Sequence, residues 1–195
     1  MYIIDAQNFY LHIKNKEIDL DFQKLSDEQF SIIYQFCNAK KSKTVFGKMR
    51  LVKRLINHLI KLNLISPIRV KFCLDGKGLA SMLDKGQIRF NWRFFMRQTF
   101  LESVVVTLHE VAHAVLWSKG DYQALKECDV VFLNKYVKDA SCTVTCPIEY
   151  YANVISLGWI NQVLESGKMD DFKASELKAL FEREKSKLEK AKERV

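Results

Sequence analysis

An α+β fold is predicted, because two short alternating segments stand among several longer stretches with helical periodicity and clear helix-start signals. Ile68-Arg69-Val70-Lys71-Phe72-Cys73-Leu74 and Gly86-Gln87-Ile88-Arg89-Phe90-Asn91-Trp92 alternate as strands should, while Ser26-Asp27-Glu28-Gln29 and the pair Thr99 and Glu102 are capping boxes that open helices. With 195 residues, 48% of them hydrophobic, the chain can bury one ordinary core. Residues 1–170 are read as that domain, with a helical N-terminal part at about 26–65, and residues 171–195 as a charged C-terminal helix.

In chain order, the first 25 residues lack strong periodicity and are expected to form a short strand or coil. A first helix follows from about Asp27 to Ala39, with Phe30, Ile33, Tyr34 and Cys37 at helical spacing. A second, from about Val45 to Leu64, turns Val52, Leu55, Ile56 and Leu59 inward and its bases outward. Pro67 closes that region ahead of the first strand. Asp75-Gly76-Lys77-Gly78 lacks the spacing of a phosphate-binding loop and is read as a turn. The second strand leads into a long apolar helix that begins at the Thr99 box and stops at Gly120. Asp121 is expected to cap a short helix through Leu125. Thr145-Cys146-Pro147-Ile148-Glu149 is another helix start, with proline in the first turn, and that helix should run to about Ser166, where Gly167 ends it. From Phe172 the apolar stripe fades into Glu and Lys, as in a helix packed by its first half with a solvated remainder.

The net charge of +8 is uneven: no acid lies between Glu28 and Asp75, whereas ten lysines and arginines fall from Lys40 to Lys71. Such a block can meet nucleic acid or an acidic protein, but no aromatic interleaving or DNA-reading signature is legible in it. A solvated helix face is the favoured reading, with nucleic acid an open but not favoured partner. Five cysteines, an odd number, suggest reduced thiols, and Cys142 with Cys146 is only half of a zinc knuckle. The N-terminus has no secretory pattern and the apolar runs are broken, so no membrane span is expected and a cytoplasmic location follows by default.

The chemistry concentrates in His109-Glu110-Val111-Ala112-His113, inside the long apolar helix. Histidines four apart share one helix face and can reach one metal ion, with Glu110 beside them as a general base. Two histidines and a glutamate in an apolar helix are costly to bury without a shared partner such as Zn2+. The only other histidines, His12 and His58, lie upstream, so patterns with a third histidine shortly after the motif are excluded. A carboxylate or thiolate must complete the site. Glu149 is the leading candidate, because it opens a second apolar helix that can pack on the first, with Asn153 one turn on to hydrogen-bond a ligating imidazole. Asp121, Glu127, Asp129 and Cys73 compete with it. Tyr136, Tyr150 and Tyr151 are candidate oxyanion donors.

The His109-to-Leu116 stretch followed by Glu149-Tyr150-Tyr151-Ala152-Asn153 resembles the ImmA/IrrE family of small gluzincin-type metallopeptidases. The resemblance covers roughly Gln87 to Leu164. It implies a minimal zincin-like domain, a small curved and mostly antiparallel sheet with several helices and the His-Glu-x-x-His motif on a central one. It also implies a zinc endopeptidase acting on a cytoplasmic, regulatory protein. In such peptidases an edge strand beside the metal helix accepts an extended peptide, a part the 86–92 strand is expected to take. The reading from another class is a non-catalytic zinc-containing regulator that binds DNA or protein through the basic N-terminal helices.

Overall fold

The computed structural model describes residues 2–3, 5–15, 18–21, 23–39, 44–63, 65–74, 80–83, 86–118, 122–137 and 146–193. They form eight helices and three strands: α1 (Ala6–Asn15), α2 (Asp27–Cys37), α3 (Val45–Leu62), β1 (Arg69–Cys73), β2 (Ala80–Leu83), β3 (Gln87–Asn91), α4 (Trp92–Arg97), α5 (Phe100–Ser118), α6 (Tyr122–Tyr136), α7 (Pro147–Glu165) and α8 (Asp171–Glu193). The expected curved, mostly antiparallel sheet does not form, and the structure is mostly helical. Its small sheet has the order β1-β3-β2, with β1 parallel and β2 antiparallel to β3. The reason lies in α5 and α7, which are buried on nearly all sides. Helices that are apolar all round need neighbours all round, and strands of four or five residues cannot cover them. Helices supply the cover instead: α3, α6 and α8 pack around the α5–α7 pair, and α2 closes on α3 and α7.

The two alternating segments are strands, and their apolar positions face inward: Ile88 and Phe90 are buried while Arg89 is exposed. Yet the 86–92 segment is the central strand, with β1 on one side and β2 on the other, so it presents no free edge. The strand beside α5 is β2, which packs against that helix and whose outer edge has no paired strand among the described residues. The Asp75–Gly78 turn lies outside the described residues.

Both capping boxes form. Ser26 Oγ accepts from the Gln29 N–H at 3.2 Å and Gln29 Oε1 from the Ser26 N–H at 2.9 Å; Thr99 and Glu102 exchange the equivalent bonds at 3.2 and 2.8 Å. The N-terminal expectation of strand or coil is corrected by α1. Asp5 accepts from the Asn8 N–H at 2.8 Å, and Ala6, Phe9 and Ile13 are buried at helical spacing. Tyr10 and Leu11 between the buried positions, with uncharged Gln7 and Asn8, blur that period in the sequence. The short helix expected to end at Leu125 runs on as α6 to Tyr136, though Asp121 and Gly120 lie outside the described residues. Gly167, at φ +63°, ends α7 in the left-handed conformation expected of it.

Two further expectations fail for tertiary reasons. The second half of α8 is not simply solvated, because Leu188 and Ala191 are buried as well as Leu177, Leu180 and Phe181. Lys48 is buried rather than turned outward, and its ammonium donates to the carbonyls of Phe95 (2.6 Å) and Gln98 (2.7 Å). It satisfies carbonyls at the end of α4, one residue before Thr99 starts α5. Among the described residues α5 alone is long and apolar enough to cross a membrane, and 78% of its most apolar window is buried inside the protein.

Candidate metal centre

Val104, Leu108, Val111, Ala112 and Val115 anchor α5 in the core, and Val154, Ile155, Leu157 and Trp159 do the same for α7. Packed antiparallel, the two helices bring the His-Glu-x-x-His turn of one against the first turn of the other. His109, His113 and Glu149 converge there, with ligand atoms all within 4.8 Å of one another. The imidazole Nε2 atoms are 3.1 Å apart, and each lies 3.3 Å from one oxygen of the Glu149 carboxylate. Ligands about 2.0–2.1 Å from a tetrahedral zinc ion are separated by about 3.3 Å. The imidazole–imidazole edge and one imidazole–carboxylate edge are close to that separation, while each imidazole faces a different Glu149 oxygen, and two imidazoles with a carboxylate are a donor set that suits a metal such as zinc.

The same atoms also hold one another by charge. Burial opposes ionisation of both partners, but the hydrogen bonds to His109 and His113, and their charge, hold the Glu149 carboxyl below the usual carboxylate range. Burial likewise works against protonation of His109, but the hydrogen bond and charge of Glu149, with help from Glu110 and Asn153, raise its pKa above the ordinary 6.5. Asn153 lies one turn beyond Glu149 on α7, lines the same cleft and adds to the rise of the His109 pKa. Glu110 is buried at 5% exposure between the two histidines in sequence and lines the same cleft.

Of the competing ligands, Asp129 has a different place. From α6 its Oδ1 accepts the Ile148 N–H at 3.0 Å, in the first turn of α7, where Cys146 occupies the cap position without a capping side-chain bond. Asp129 thus caps the glutamate helix from a neighbouring element. Burial pushes its pKa up to about 6, with the Ile148 N–H pulling the other way and the charge of Glu149 adding to the rise. Glu127 is exposed on α6 and bonded by Gln123 at 3.0 Å, and Cys73 is on β1; neither joins the cluster. Asp121 and Cys142 lie outside the described residues. Asp129→Ala should cost about 0.5–2 kcal/mol, the usual loss for a helix cap. It should also weaken metal binding at the cluster severalfold by loosening Glu149; thermal melting and a competitive metal titration would read the two effects.

The His109–His113–Glu149 cluster sits in a cleft of about 550 Å³ along the α5–α7 seam. Val105, Val106, Leu157 and Ile160 supply apolar wall. Further along, α8 contributes Arg183, Glu184 and Lys187, with Arg183 donating to Glu102 at 3.1 Å and to Glu184 at 2.9 Å. Sequence reasoning missed this wall, since a Glu- and Lys-rich helix gives no sign of which turn meets the core. The candidate oxyanion tyrosines are elsewhere. Tyr150 and Tyr151 are buried at 2%, the Tyr151 hydroxyl accepts the Ile3 N–H at 2.7 Å, and Tyr136 stacks on Tyr10. None of the three lines the cleft.

No protein-family model, no curated protein and no solved structure matches this chain.

Proposed function

We propose that the chain is a zinc-dependent peptidase. The observation that carries this reading is the triangle of His109, His113 and Glu149 in a cleft that Glu110 also lines. The likeness of the two motifs to the ImmA/IrrE peptidases supports it. So does the cleft volume, which falls in the range of small-ligand and peptide-side-chain pockets. When bound, zinc supplies Lewis acidity that polarises a carbonyl and lowers the pKa of water. Glu110 takes the proton from the attacking water and returns it to the leaving amine. Asn153 keeps the His109 ring in its ligating orientation. An extended peptide would pair by its backbone with the outer edge of β2, next to α5, which no strand among the described residues covers.

Elemental analysis tests the centre. About one zinc per chain is expected in the wild type and none in His113→Ala or Glu149→Ala. Zinc affinity should also fall as the pH drops through the raised pKa of His109, because the metal then displaces a proton. The loss should begin above pH 6.5 and approach about tenfold per pH unit below it. A metal-free wild type, or zinc content indifferent to both substitutions, would remove the basis of the peptidase reading.

A further inference from the structure

Between residues 40 and 97 the chain carries fifteen lysines and arginines against two acids, Asp75 and Asp84. Since the whole chain nets +8, everything outside that stretch is net acidic. The fold displays these bases on α3 and on the sheet, with α4 in contact with both. On α3 the exposed positions Phe46, Arg50, Lys53, Arg54, Asn57 and Lys61 follow one helix face. On the sheet, Arg69, Lys71 and Arg89 share the exposed face, and Lys71 lies directly opposite Arg89 in the β1–β3 register. Like charges directly opposite across a strand pair are destabilising, and no acid among the described residues relieves this one. A ligand with repeated negative charge would.

Aromatic groups accompany the bases where the two regions meet. Phe46, 71% exposed, lies edge-on to Trp92 with ring centroids 5.5 Å apart, although the two are far apart in sequence. Arg50 is one turn from Phe46 on α3, and exposed Arg93 follows Trp92 on α4. The aromatic interleaving absent from the linear sequence is thus supplied by the fold. A ring pair with one exposed member, beside arginines that have no acid partner among the described residues, suits unstacked bases, which present flat faces, better than a duplex whose bases are stacked away or an acidic peptide that has none.

We propose that the α3–α4–sheet face binds single-stranded nucleic acid, with phosphates along Arg50, Lys53, Arg54, Lys71 and Arg89 and a base against the Phe46–Trp92 pair. This face is independent of the metal centre. The probe is fluorescein-labelled dT20, read by anisotropy against the same-length duplex and against polyglutamate as competitor. Binding tighter than to the duplex is expected, with an affinity that falls steeply between 50 and about 200 mM salt. Phe46→Ala, at an exposed position, should lose about tenfold in affinity with an unchanged melting temperature. Arg50→Gln with Arg54→Gln should flatten the salt dependence. Absence of dT20 binding, a duplex bound as tightly, indifference to Phe46→Ala, or displacement by polyglutamate at equal charge would each overturn the assignment; the last would indicate an acidic protein as the ligand.

Discussion

Glu110→Gln is expected to keep one zinc per chain and to lower hydrolysis of an internally quenched peptide mixture by about 10² to 10⁴-fold, the usual contribution of a positioned acid–base group. That range corresponds to about 3–5 kcal/mol of activation free energy. The substitution preserves volume at a site only 5% exposed, so the fold has no cavity or clash to absorb. It also leaves the triangle of His109, His113 and Glu149 intact. What it removes is the ability to accept a proton, which an amide lacks. Zinc retained with hydrolysis lost places the proton transfer on Glu110. Hydrolysis retained within severalfold would assign that transfer elsewhere, and a zinc-loaded wild type that cleaves nothing would favour a non-catalytic regulator. Mass spectrometry of the peptide mixture separates these results.

The site was more legible in the sequence than the fold, for a physical reason. His109, Glu110 and His113 are related by one helical turn, so a local rule suffices to place them together. Glu149 needed only one further step: a helix start marked by Pro147 and an apolar helix that must pack on another. The sheet is different. Its composition depends on which neighbours cover α5 and α7, a question of how much apolar surface each helix exposes in three dimensions. Alternation located β1 and β3 but carried nothing about Ala80–Leu83 pairing antiparallel to β3 and taking the edge. The Asp129 cap and the Lys48 bonds to α4 were illegible for a related cause. Each is a polar side chain serving a backbone end of another helix. No periodicity records such a bond. The Phe46–Trp92 pair is the same kind of fact: residues distant in the chain become neighbours only after α3 and α4 have packed.

Gly158→Ala should destabilise the protein by about 1–3 kcal/mol, the common cost of forcing extra volume into a packed interior. For a chain of this size that lowers the melting temperature by roughly 3–10 °C. In most helices the substitution would help, since alanine favours a helix over glycine by about 1 kcal/mol. Here the sign reverses because the backbone of Leu20 crosses α7 directly over Gly158, and a Cβ would collide with the Leu20 carbonyl oxygen. The crossing segment has little freedom to retreat. Leu25 N–H donates to Gln162 Oε1 at 3.0 Å, and Gln162 Nε2 donates to the Gly158 carbonyl at 3.2 Å and toward the Gln23 carbonyl at 3.4 Å. Accommodation would lift this strap from α7 and break bonds to Gln162. Glu149 lies more than two turns away on the same helix, anchored at its own end by Asp129. Zinc stoichiometry should therefore survive the substitution while stability falls, which thermal melting and elemental analysis on one sample would resolve. An unchanged or raised melting temperature would mean that the strap yields freely, leaving only the helix-propensity gain.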